Sequence, residues 1–307
     1  MQSRFIKSAL NYTGGKYKIL PQIIPHFPRD YERFIDLFAG GATVSVNIAC
    51  LDSGKKYLIN DIEDHLIKFF EYLKKVDFDT LVSQIESKIS YYGLSNSKVN
   101  GYKFYNLDSY KGLGSYNKEK YKRLRDDYNI SKDNILFYLL IVYGFNNQIR
   151  FNSRGEFNLP VGKRDFNKSM MDKLRDFHQC LNDHSFYLSS RDFREIEINQ
   201  SDFIYADPPY RISTASYNEN GGWSIQDDLD LMDFLDKADS LGAKFALSNV
   251  VFHKGQYNEE LINWAKKYNL IELEFHYNNS NYQSKAKENS TQEVLITNYS
   301  YEQRGLL

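Results

Sequence analysis

Residues 33–61 read RFIDLFAGGATVSVNIACLDSGKKYLIND, and this stretch decides the fold class. It opens with a short apolar strand at 33–37, passes through a turn of small residues at 38–42, and then shows the apolar spacing of a helix over 43–51. A second strand follows at 57–61. A strand, a helix and a strand in this order predict a β-α-β unit, in which the two strands are parallel.

The same alternation returns in the second half of the chain. Strands are predicted at 186–189, 202–206, 244–248, 270–277 and 292–298, and helices near 226–241 and 257–268. Strands that alternate with helices indicate an α/β fold with a mostly parallel, doubly wound sheet. In such sheets ligands bind at the carboxyl ends of the strands.

The middle of the chain departs from this pattern. Residues 91–130 are rich in Tyr, Asn, Ser, Gly and Lys and have weak periodicity, so they mark an insertion or a loop-rich subdomain. Around it we predict helices at 62–76, 78–90 and 131–143, the last with Ser131 as its N-cap and Asp133 in its first turn, and a polar loop at 144–169.

Composition and charge narrow the class of protein. The 307 residues are 42% hydrophobic and 26% charged, as expected of a globular chain, and the net charge of −1 does not by itself indicate a nucleic-acid partner. Lys and Arg are concentrated at 111–125 and 144–175, which fits either a phosphate-contacting face or an ordinary solvated surface. Cys50 and Cys180 show neither metal-ligand spacing nor a disulfide framework, and no signal peptide or membrane span is recognised, so a cytoplasmic protein is expected.

The stretch 202–210, DFIYADPPY, presents reactive groups at a strand end. Its apolar part suits a buried strand, which Pro208 and Pro209 prevent from continuing. A carboxylate on Asp207, a rigid turn and the ring of Tyr210 therefore lie together at the carboxyl end of a strand. The alternative is a simple strand-terminating turn that follows an incidental acid.

A second set of groups surrounds the turn after the first strand. Glycines in 36–41 allow a ligand to approach the backbone, although the pattern is not the GxGxxG of dinucleotide sites and also fits a plain tight turn. Asp61, 25 residues after Asp36, has the offset of an acid that holds ribose hydroxyls, and it also fits a helix N-cap.

Both sets of groups lie at strand ends of one sheet, which suits transfer of a group from a nucleoside-type cofactor to a planar substrate. For a base amino group, Asp207 and the carbonyl of Pro208 can accept its two hydrogens and free the nitrogen lone pair. Tyr210 can stack on an extruded base. This chemistry requires no metal, and the sequence suggests none.

Several motifs in this order resemble the Dam-like, alpha-group DNA adenine methyltransferases, which use S-adenosylmethionine. The resemblance covers nearly the whole chain and rests on NYTGGKYK at 11–18, DLFAGG at 36–41, NDI at 60–62, SRDF at 190–193 and DPPY at 207–210. It implies a Rossmann-like methyltransferase sheet with an inserted, mainly helical DNA-recognition subdomain and hairpin. The implied bounds are 1–75 and 163–307 for the catalytic domain and 76–162 for the insertion.

The resemblance also implies roles for individual residues. The catalytic motif is Asp207, Pro208, Pro209 and Tyr210. The residues expected to bind S-adenosylmethionine are Tyr12, Gly14, Gly15 and Lys16 near its methionine end, Asp36, Phe38 and Gly40 in the glycine-rich loop, Asp61 at the ribose, and Asp192 and Phe193 around its adenine.

YGFNNQIRFN at 143–152 and GEFNLPVG at 155–162 resemble the base-reading hairpin of the family. The resemblance assigns Arg150 to a guanine, Phe145 and Asn146 to the gap left by a flipped adenine or its orphan partner, Pro160 to a base edge, Gln148 to an adenine or to solvent, and Arg154 to a phosphate. The resemblance implies a GATC-like target. Asn147-Gln148 departs from the glycine and aliphatic residue that Dam itself has at these positions.

These observations favour a site-specific adenine methyltransferase that flips its base out of duplex DNA and transfers the methyl group by in-line displacement. The expected partners are double-stranded DNA and, in a restriction-modification system, a cognate restriction endonuclease encoded nearby; the expected state is a monomer. Two alternatives stay open: a methyltransferase of RNA or protein glutamine, and a catalytically silent DNA-binding relative. An Asn at 207 would favour the glutamine alternative, whereas this chain has Asp.

Overall fold

The computed structural model describes residues 5–105, 112–212, 222–274 and 291–300, and these form two compact units. The first unit is drawn from 1–15, 40–50 and 63–188, and the second from 16–39, 51–62 and 189–307. The two units thus alternate along the chain. The boundary of the expected insertion at 76–162 stays a prediction.

The strands are β1 (Arg33–Asp36), β2 (Lys56–Asn60), β3 (Phe186–Ser189), β4 (Asp202–Ala206), β5 (Lys244–His253), β6 (Gln256–Tyr257), β7 (Asn269–Leu273) and β8 (Thr291–Thr297). The helices are α1 (Leu20–Ile23), α2 (Thr43–Leu51), α3 (Asp64–Lys75), α4 (Phe78–Tyr92), α5 (Ser97–Asn100), α6 (Gly114–Ser131), α7 (Asn134–Tyr143), α8 (Lys168–Asp183), α9 (Ile225–Ser240) and α10 (Glu259–Ala265).

The second unit contains a sheet with the strand order β2-β1-β4-β5-β8-β7. β1 is parallel to β2 and to β4, β4 is parallel to β5, and β8 runs antiparallel to both β5 and β7. Phe34 stands beside Phe203 and Ile35 beside Ile204 in the register of β1 and β4, and all four side chains are fully buried. The α/β fold with a mostly parallel sheet is therefore confirmed, with antiparallel strands at one side.

The predicted β-α-β unit at 33–61 is confirmed to within a residue or two at each end. Two predictions on the later strands need adjustment. β5 continues to His253, beyond the predicted end at 248, because it pairs with β8 along its length. The strand predicted at 270–277 corresponds to β7, and residues 275–277 lie outside the described part of the chain.

The first unit is helical, with α7 at its centre. Every residue of α7 from Ile135 to Tyr143 is buried, and the helix packs against α3, α4 and α6. Its N-cap is Asp133, whose Oδ1 accepts from the backbone N–H groups of Ile135 and Leu136 at 2.9 Å each. Ser131 as the N-cap was wrong: it is the last residue of α6, and Lys132 (φ 54°) turns the chain between the two helices.

Three helices of the first unit were not predicted: the short α5 and the longer α6 and α8. α6 has 18 residues and lies in the segment read as irregular; its buried side chains are Asn117, Tyr121, Leu124 and Tyr128, which are helically spaced but include few aliphatic residues. α8 begins inside the predicted polar loop, where Asn167 caps it by accepting from the N–H of Met170 at 3.1 Å. In the described part of the chain, no helix is long and apolar enough to cross a membrane.

Candidate active site

Asp207 follows the buried strand β4 directly, and Pro208 and Pro209 end the strand there. Its Oδ1 lies 2.9 Å from the Nζ of Lys16 and 2.9 Å from the hydroxyl of Tyr210, and the side chain is 17% exposed. Lys16 also donates to the Tyr210 hydroxyl at 2.5 Å. The structure thus brings together one residue of the NYTGGKYK motif and two of the DPPY motif.

Glu293 on β8 is the fourth member of this group and was not predicted. Its Oε1 lies 3.1 Å from the Nζ of Lys16 and 2.9 Å from the hydroxyl of Tyr210. Lys16 and Glu293 are almost fully buried. We call Lys16, Asp207, Tyr210 and Glu293 the ionic cluster. The one local signal for Glu293 is an acid that precedes the buried run Val294–Ile296 in a strand.

The ionic cluster holds two carboxylates and one ammonium in a buried place. Burial raises the pKa of Asp207, the ammonium of Lys16 opposes that effect, and the charge of Glu293 adds to it. Burial lowers the pKa of Lys16, but Asp207 and Glu293 outweigh burial and the pKa is raised overall. The pKa of Tyr210 is raised well above 10.0 by burial and by both carboxylates. Lys16 and Tyr210 therefore keep their protons at neutral pH and act as donors.

The other predicted cofactor residues of the second unit surround the amide of Asn60 at the end of β2. This amide donates to the carbonyls of Leu37 and Arg191, at 3.1 Å each, and accepts from the N–H of Arg191 at 3.2 Å. The N–H of Asp61, the next residue, donates to the carbonyl of Ser189 at 3.1 Å. Asn60 thus fixes the turn after β1 against the SRDF segment.

Three aromatic rings pack together where the turn after β1 meets the SRDF segment. The rings of Phe38 and Phe193 have centroids 5.4 Å apart. Trp223, which is not among the predicted cofactor residues, lies edge-on to Phe38 at 5.4 Å. Phe193 is buried, whereas Phe38 and Trp223 are half-buried. Asp192, expected at the cofactor adenine, pairs with Arg194 at 3.0 Å. Asp36, at the end of β1, is buried.

The first unit contains the remaining residues of the predicted cofactor site. Gly15 donates to the carbonyl of Tyr12 at 3.2 Å in the turn that includes Gly14. The ring of Tyr12 covers Gly40, where a Cβ would lie 2.6 Å from Cε1 of that ring and φ is +49°. Glycine is therefore required at position 40, because a side chain would displace the aromatic ring and strain the backbone.

Residues 144–162 form a hairpin in the first unit, which we call the reading hairpin. Phe145 donates to the carbonyl of Pro160 at 2.9 Å, and Phe151 forms an antiparallel bridge with Phe157. The side-chain amide of Asn129 on α6 holds the backbone of Phe157 from both sides, accepting from its N–H at 2.7 Å and donating to its carbonyl at 3.1 Å. The hairpin is therefore attached to the helices.

The residues predicted to contact DNA all lie on this hairpin. Arg150 is half-buried and donates to the Oδ1 and carbonyl oxygen of Asn158, at 2.9 and 3.1 Å. Arg154 is 77% exposed and pairs with Glu156 at 2.9 Å. Phe145, Asn146 and Pro160 are exposed, and Gln148 is half-buried.

Asn147, which lies between Asn146 and Gln148, forms hydrogen bonds with other residues of the first unit. Its amide donates to the carbonyls of Ile141 and Val142 at the end of α7, at 2.9 and 3.1 Å, and its Oδ1 accepts from Asn11 of the NYTGGKYK motif at 3.4 Å. Asn147, the first of the two positions at which the sequence departs from Dam, therefore has an internal structural role.

The fold and the motifs at its strand ends define a Rossmann-like methyltransferase. Residues 12–279 match the sequence pattern described as D12 class N6 adenine-specific DNA methyltransferase, and the chain belongs to this family. The resemblance drawn from the motifs is thereby confirmed.

Individual relatives agree with this assignment. The chain is 38% identical to the type II methyltransferase M.FokI of Planomicrobium okeanokoites, over 96% of this chain and 43% of that protein, and 38% identical to the modification methylase StsI of Streptococcus sanguinis, over 99% and 44%. It is 26% identical to the DNA adenine methylase of Salmonella typhi, over 69% of this chain and 68% of that protein. The chain thus spans less than half the length of the first two relatives.

Proposed function

We propose that this chain is a site-specific DNA methyltransferase that moves a methyl group from S-adenosylmethionine to the exocyclic 6-amino group of a flipped adenine in duplex DNA. The observation that carries the proposal is the position of Asp207: a carboxylate at the end of a parallel strand, held by buried donors and followed by the Pro208 carbonyl. Membership of an N6 adenine-specific family supports the choice of substrate.

The residues around Asn60 fit a nucleoside cofactor. The half-buried rings of Phe38 and Trp223 offer apolar faces to a purine, and Asp61 offers a carboxylate to ribose hydroxyls. At Gly40 the absence of a side chain leaves room for the Tyr12 ring. When bound, S-adenosylmethionine supplies a methyl group that is electrophilic because it is attached to a sulfonium.

Asp207 has two tasks in this proposal. With the carbonyl of Pro208 it accepts hydrogen bonds from the adenine amino group, which holds the nitrogen lone pair out of conjugation with the ring. As the methyl carbon leaves sulfur for the amino nitrogen, that nitrogen would gain positive charge, which the ionised Asp207 would stabilise until the nitrogen releases one of its hydrogens as a proton. Lys16 and Tyr210 orient the carboxylate and favour its ionised form by donating to its Oδ1, whereas burial and Glu293 leave the pKa of Asp207 raised overall.

The reading hairpin supports the assignment to DNA. Arg150 presents the side chain best shaped for the two major-groove acceptors of guanine, and the exposed ring of Phe145 is available to fill the space of an extruded base. We propose a GATC-like recognition site. Two of the relatives are named as a type II methyltransferase and a modification methylase, which favours a role beside a restriction endonuclease. A monomeric, cytoplasmic protein stays the prediction.

The proposal is tested by incubating the purified chain with S-adenosylmethionine carrying a labelled methyl group and plasmid DNA, followed by base-resolution sequencing of N6-methyladenine. We expect label in one sequence motif and none with Asp207→Asn, which keeps the shape but removes the charge. Transfer to RNA or to a protein glutamine, with none to duplex DNA, would favour the alternative substrates. Cofactor binding without any transfer would favour a silent relative.

A further inference from the structure

The carboxylates of Asp207 and Glu293 share the same two partners in the ionic cluster. Each has one oxygen within 3.1 Å of the Lys16 ammonium and 2.9 Å of the Tyr210 hydroxyl. In the described part of the chain, Lys16 is the one cation within ion-pair distance of either carboxylate. The cluster therefore carries an excess negative charge when both carboxylates are ionised.

We propose that Glu293 is a positioning residue that leaves the ionic cluster with a net negative charge beside the adenine amino group, because it shares the Lys16 ammonium with Asp207. Without Glu293, Lys16 and Asp207 would form a closed neutral pair, and Asp207 would stabilise the positive charge on the adenine amino group less well. This inference rests on the proposed function. Glu293 acts through Lys16, Tyr210 and Asp207 and needs no contact with the substrate.

Tyr205, a further titratable neighbour of the cluster among the described residues, does not disturb this balance. Tyr205 on β4 is fully buried, and its hydroxyl lies 2.9 Å from the Oγ of Ser248. Burial, Asp207, Asp36 and Glu293 together raise the pKa of Tyr205 well above 10.0, so it stays neutral. The charge at Asp207 is therefore set by Lys16 and Glu293, with Tyr210 as a neutral donor.

Glu293→Gln tests the proposal because it removes the charge and keeps the shape. The charge of Glu293 raises the pKa of Asp207, so its removal lowers that pKa. We expect the single-turnover rate at its pH plateau to fall roughly 10- to 100-fold. We also expect the acidic limb of the pH profile to move to lower pH, with KM for cofactor and DNA changed less than about twofold. The matched control is Glu272→Gln, because Glu272 is an exposed acid on the neighbouring strand β7. It should leave the single-turnover rate, the acidic limb and both KM values unchanged.

A rate that falls while the acidic limb stays in place would reduce Glu293 to a structural role and overturn the proposal. So would an unchanged rate. NMR titration of 13C-labelled aspartate carboxyls follows Asp207 without turnover, with Asp207→Asn to assign its signal. If wild-type protein transfers no methyl group to DNA but Glu293→Gln still lowers the Asp207 pKa, the proposed function fails while the charge balance stands. If the Asp207 pKa does not fall, the positioning proposal fails on its own.

A separate group of reactive side chains lies in the first unit, although residue spacing predicted none there. The sulfurs of Cys50, at the end of α2, and Cys180, on α8, are 2.9 Å apart although 130 positions separate them. Nε2 of His184 lies 3.8 Å from the Cys50 sulfur. Cys50 is exposed, whereas Cys180 is buried and lies 3.2 Å from the carbonyl of Val46.

The geometry points to a reversible dithiol–disulfide pair that reacts with hydroperoxides. The Cys50 thiolate takes the terminal oxygen of the peroxide, which releases hydroxide or an alkoxide and leaves a sulfenic acid. The Cys180 sulfur then attacks the Cys50 sulfur: the S–S bond forms, the S–O bond breaks, and water leaves with the proton of Cys180. Both sulfurs are oxidised and the peroxide is reduced.

The two thiols differ in the way that this reaction requires. Donation from Cys180 and from His184 lowers the pKa of Cys50 to about 6, although partial desolvation of the sulfur opposes it, so the thiolate form of Cys50 predominates at neutral pH. The neighbouring Cys50 and burial raise the pKa of Cys180, which keeps its proton until it attacks. The negative charge of Asp183 raises both values. Exposure gives a peroxide access to Cys50 first.

Mass spectrometry of the whole chain after brief hydrogen peroxide treatment and alkylation tests this proposal. We expect both thiols to be lost together, a Cys50–Cys180 linked peptide, and full recovery with dithiothreitol. Cys180→Ser should stop at a dimedone-reactive sulfenic acid on Cys50, and Cys50→Ser should leave Cys180 alkylatable. Oxidation of Cys50 to sulfinic acid in the wild-type chain without a linked peptide would overturn the pair. Stoichiometric retention of zinc with loss of both thiols' reactivity would also overturn it, in favour of a metal site.

Discussion

Asp207 and Arg150 are the two residues on which the proposed chemistry and the proposed recognition depend, and they are held in different ways. Asp207 is fixed by the ammonium of Lys16 and the hydroxyl of Tyr210, and the almost fully buried Glu293 holds both of these groups in turn. Arg150 is held by its own hairpin, through two atoms of Asn158. The proposed catalytic carboxylate is thus oriented before any substrate binds, whereas the proposed reading side chain would have to exchange a local partner for a base.

The difference follows from the work each residue would do. A charge that stabilises a transition state is most effective when it needs no rearrangement at the moment of reaction. A side chain that reads a base needs a partner when DNA is absent, because an unpaired guanidinium on a half-buried surface is unfavourable. The exchange costs little at Arg150, because Asn158 can be hydrated when the arginine leaves.

Removing the catalytic carboxylate should have the largest effect. We expect Asp207→Ala to reduce methyl transfer by about three orders of magnitude or more, because the amino group loses both its acceptor and its counter-charge. Affinity for S-adenosylmethionine, measured by calorimetry, should change by less than about threefold. Retained turnover, or loss of cofactor binding in a folded variant, would contradict the role of Asp207.

Lys16→Met tests whether the ionic cluster depends on its one cation. It leaves two buried carboxylates without a counter-charge, and breaking such a pair costs about 3–5 kcal/mol in unfolding free energy. The pKa of Asp207 then rises further, so the folded state binds more protons than the unfolded state above about pH 4. Stability relative to wild type should therefore fall as pH rises from that value toward neutrality.

Differential scanning calorimetry across this pH range measures the effect of Lys16→Met. Lys18→Met provides a control two residues away, outside the ionic cluster. An unfolding penalty of the same size at every pH would show that the lost interaction is packing and not charge.

Arg150→Ala should change which DNA is methylated more than how fast. Loss of a bidentate contact to guanine removes about 1–3 kcal/mol of discrimination at one base pair. The measurement is kcat/KM on duplexes that vary each position of the methylated motif. Arg154→Ala is the comparison: as a phosphate contact it should weaken binding uniformly and flatten the salt dependence. Equal loss on all sequences for both variants would remove Arg150 as a base reader.

Asn129→Ala should have the smallest effect and should be confined to the first unit. It removes two hydrogen bonds to the backbone of Phe157, at about 0.5–1.5 kcal/mol each. We expect faster amide exchange in the reading hairpin and lower discrimination between sequences. Asp133→Ala, which removes the cap of α7 at a cost of about 1 kcal/mol, is the stability-matched control and should not change discrimination.

Local sequence patterns predict the sheet better than the helical unit. β1 and β4 are short apolar runs that end at turn residues, so the apolar pattern and the glycines and prolines that follow it suffice to locate these strands. α6 was missed because tyrosine and asparagine form much of its buried face, and Asn117 is buried through hydrogen bonds with Ser95. A pattern based on aliphatic residues does not detect such a face.

The residues of the candidate site likewise fall into those that local motifs predict and those that tertiary packing brings together. Lys16, Asp207 and Tyr210 were predicted because each belongs to a recognisable motif. Glu293 belongs to none, and it reaches Tyr210 across 83 positions through the antiparallel pairing of β8 with β5. Cys50 and Cys180 likewise meet through the packing of separate helices, which residue spacing does not record.

The attachment of the reading hairpin to α6 has a consequence for how such proteins diversify. Phe151, Phe157 and Leu159 face inward and are buried, Phe151 stacks on His65 of α3 at 4.5 Å, and Asn129 holds the strand from behind. The exposed positions, among them Phe145, Arg154 and Pro160, support none of these contacts. Substitutions at the exposed positions can therefore accumulate without unfolding the hairpin. If the hairpin reads DNA as proposed, descendants of one ancestral scaffold can acquire new target sequences while the proposed catalytic centre stays unchanged.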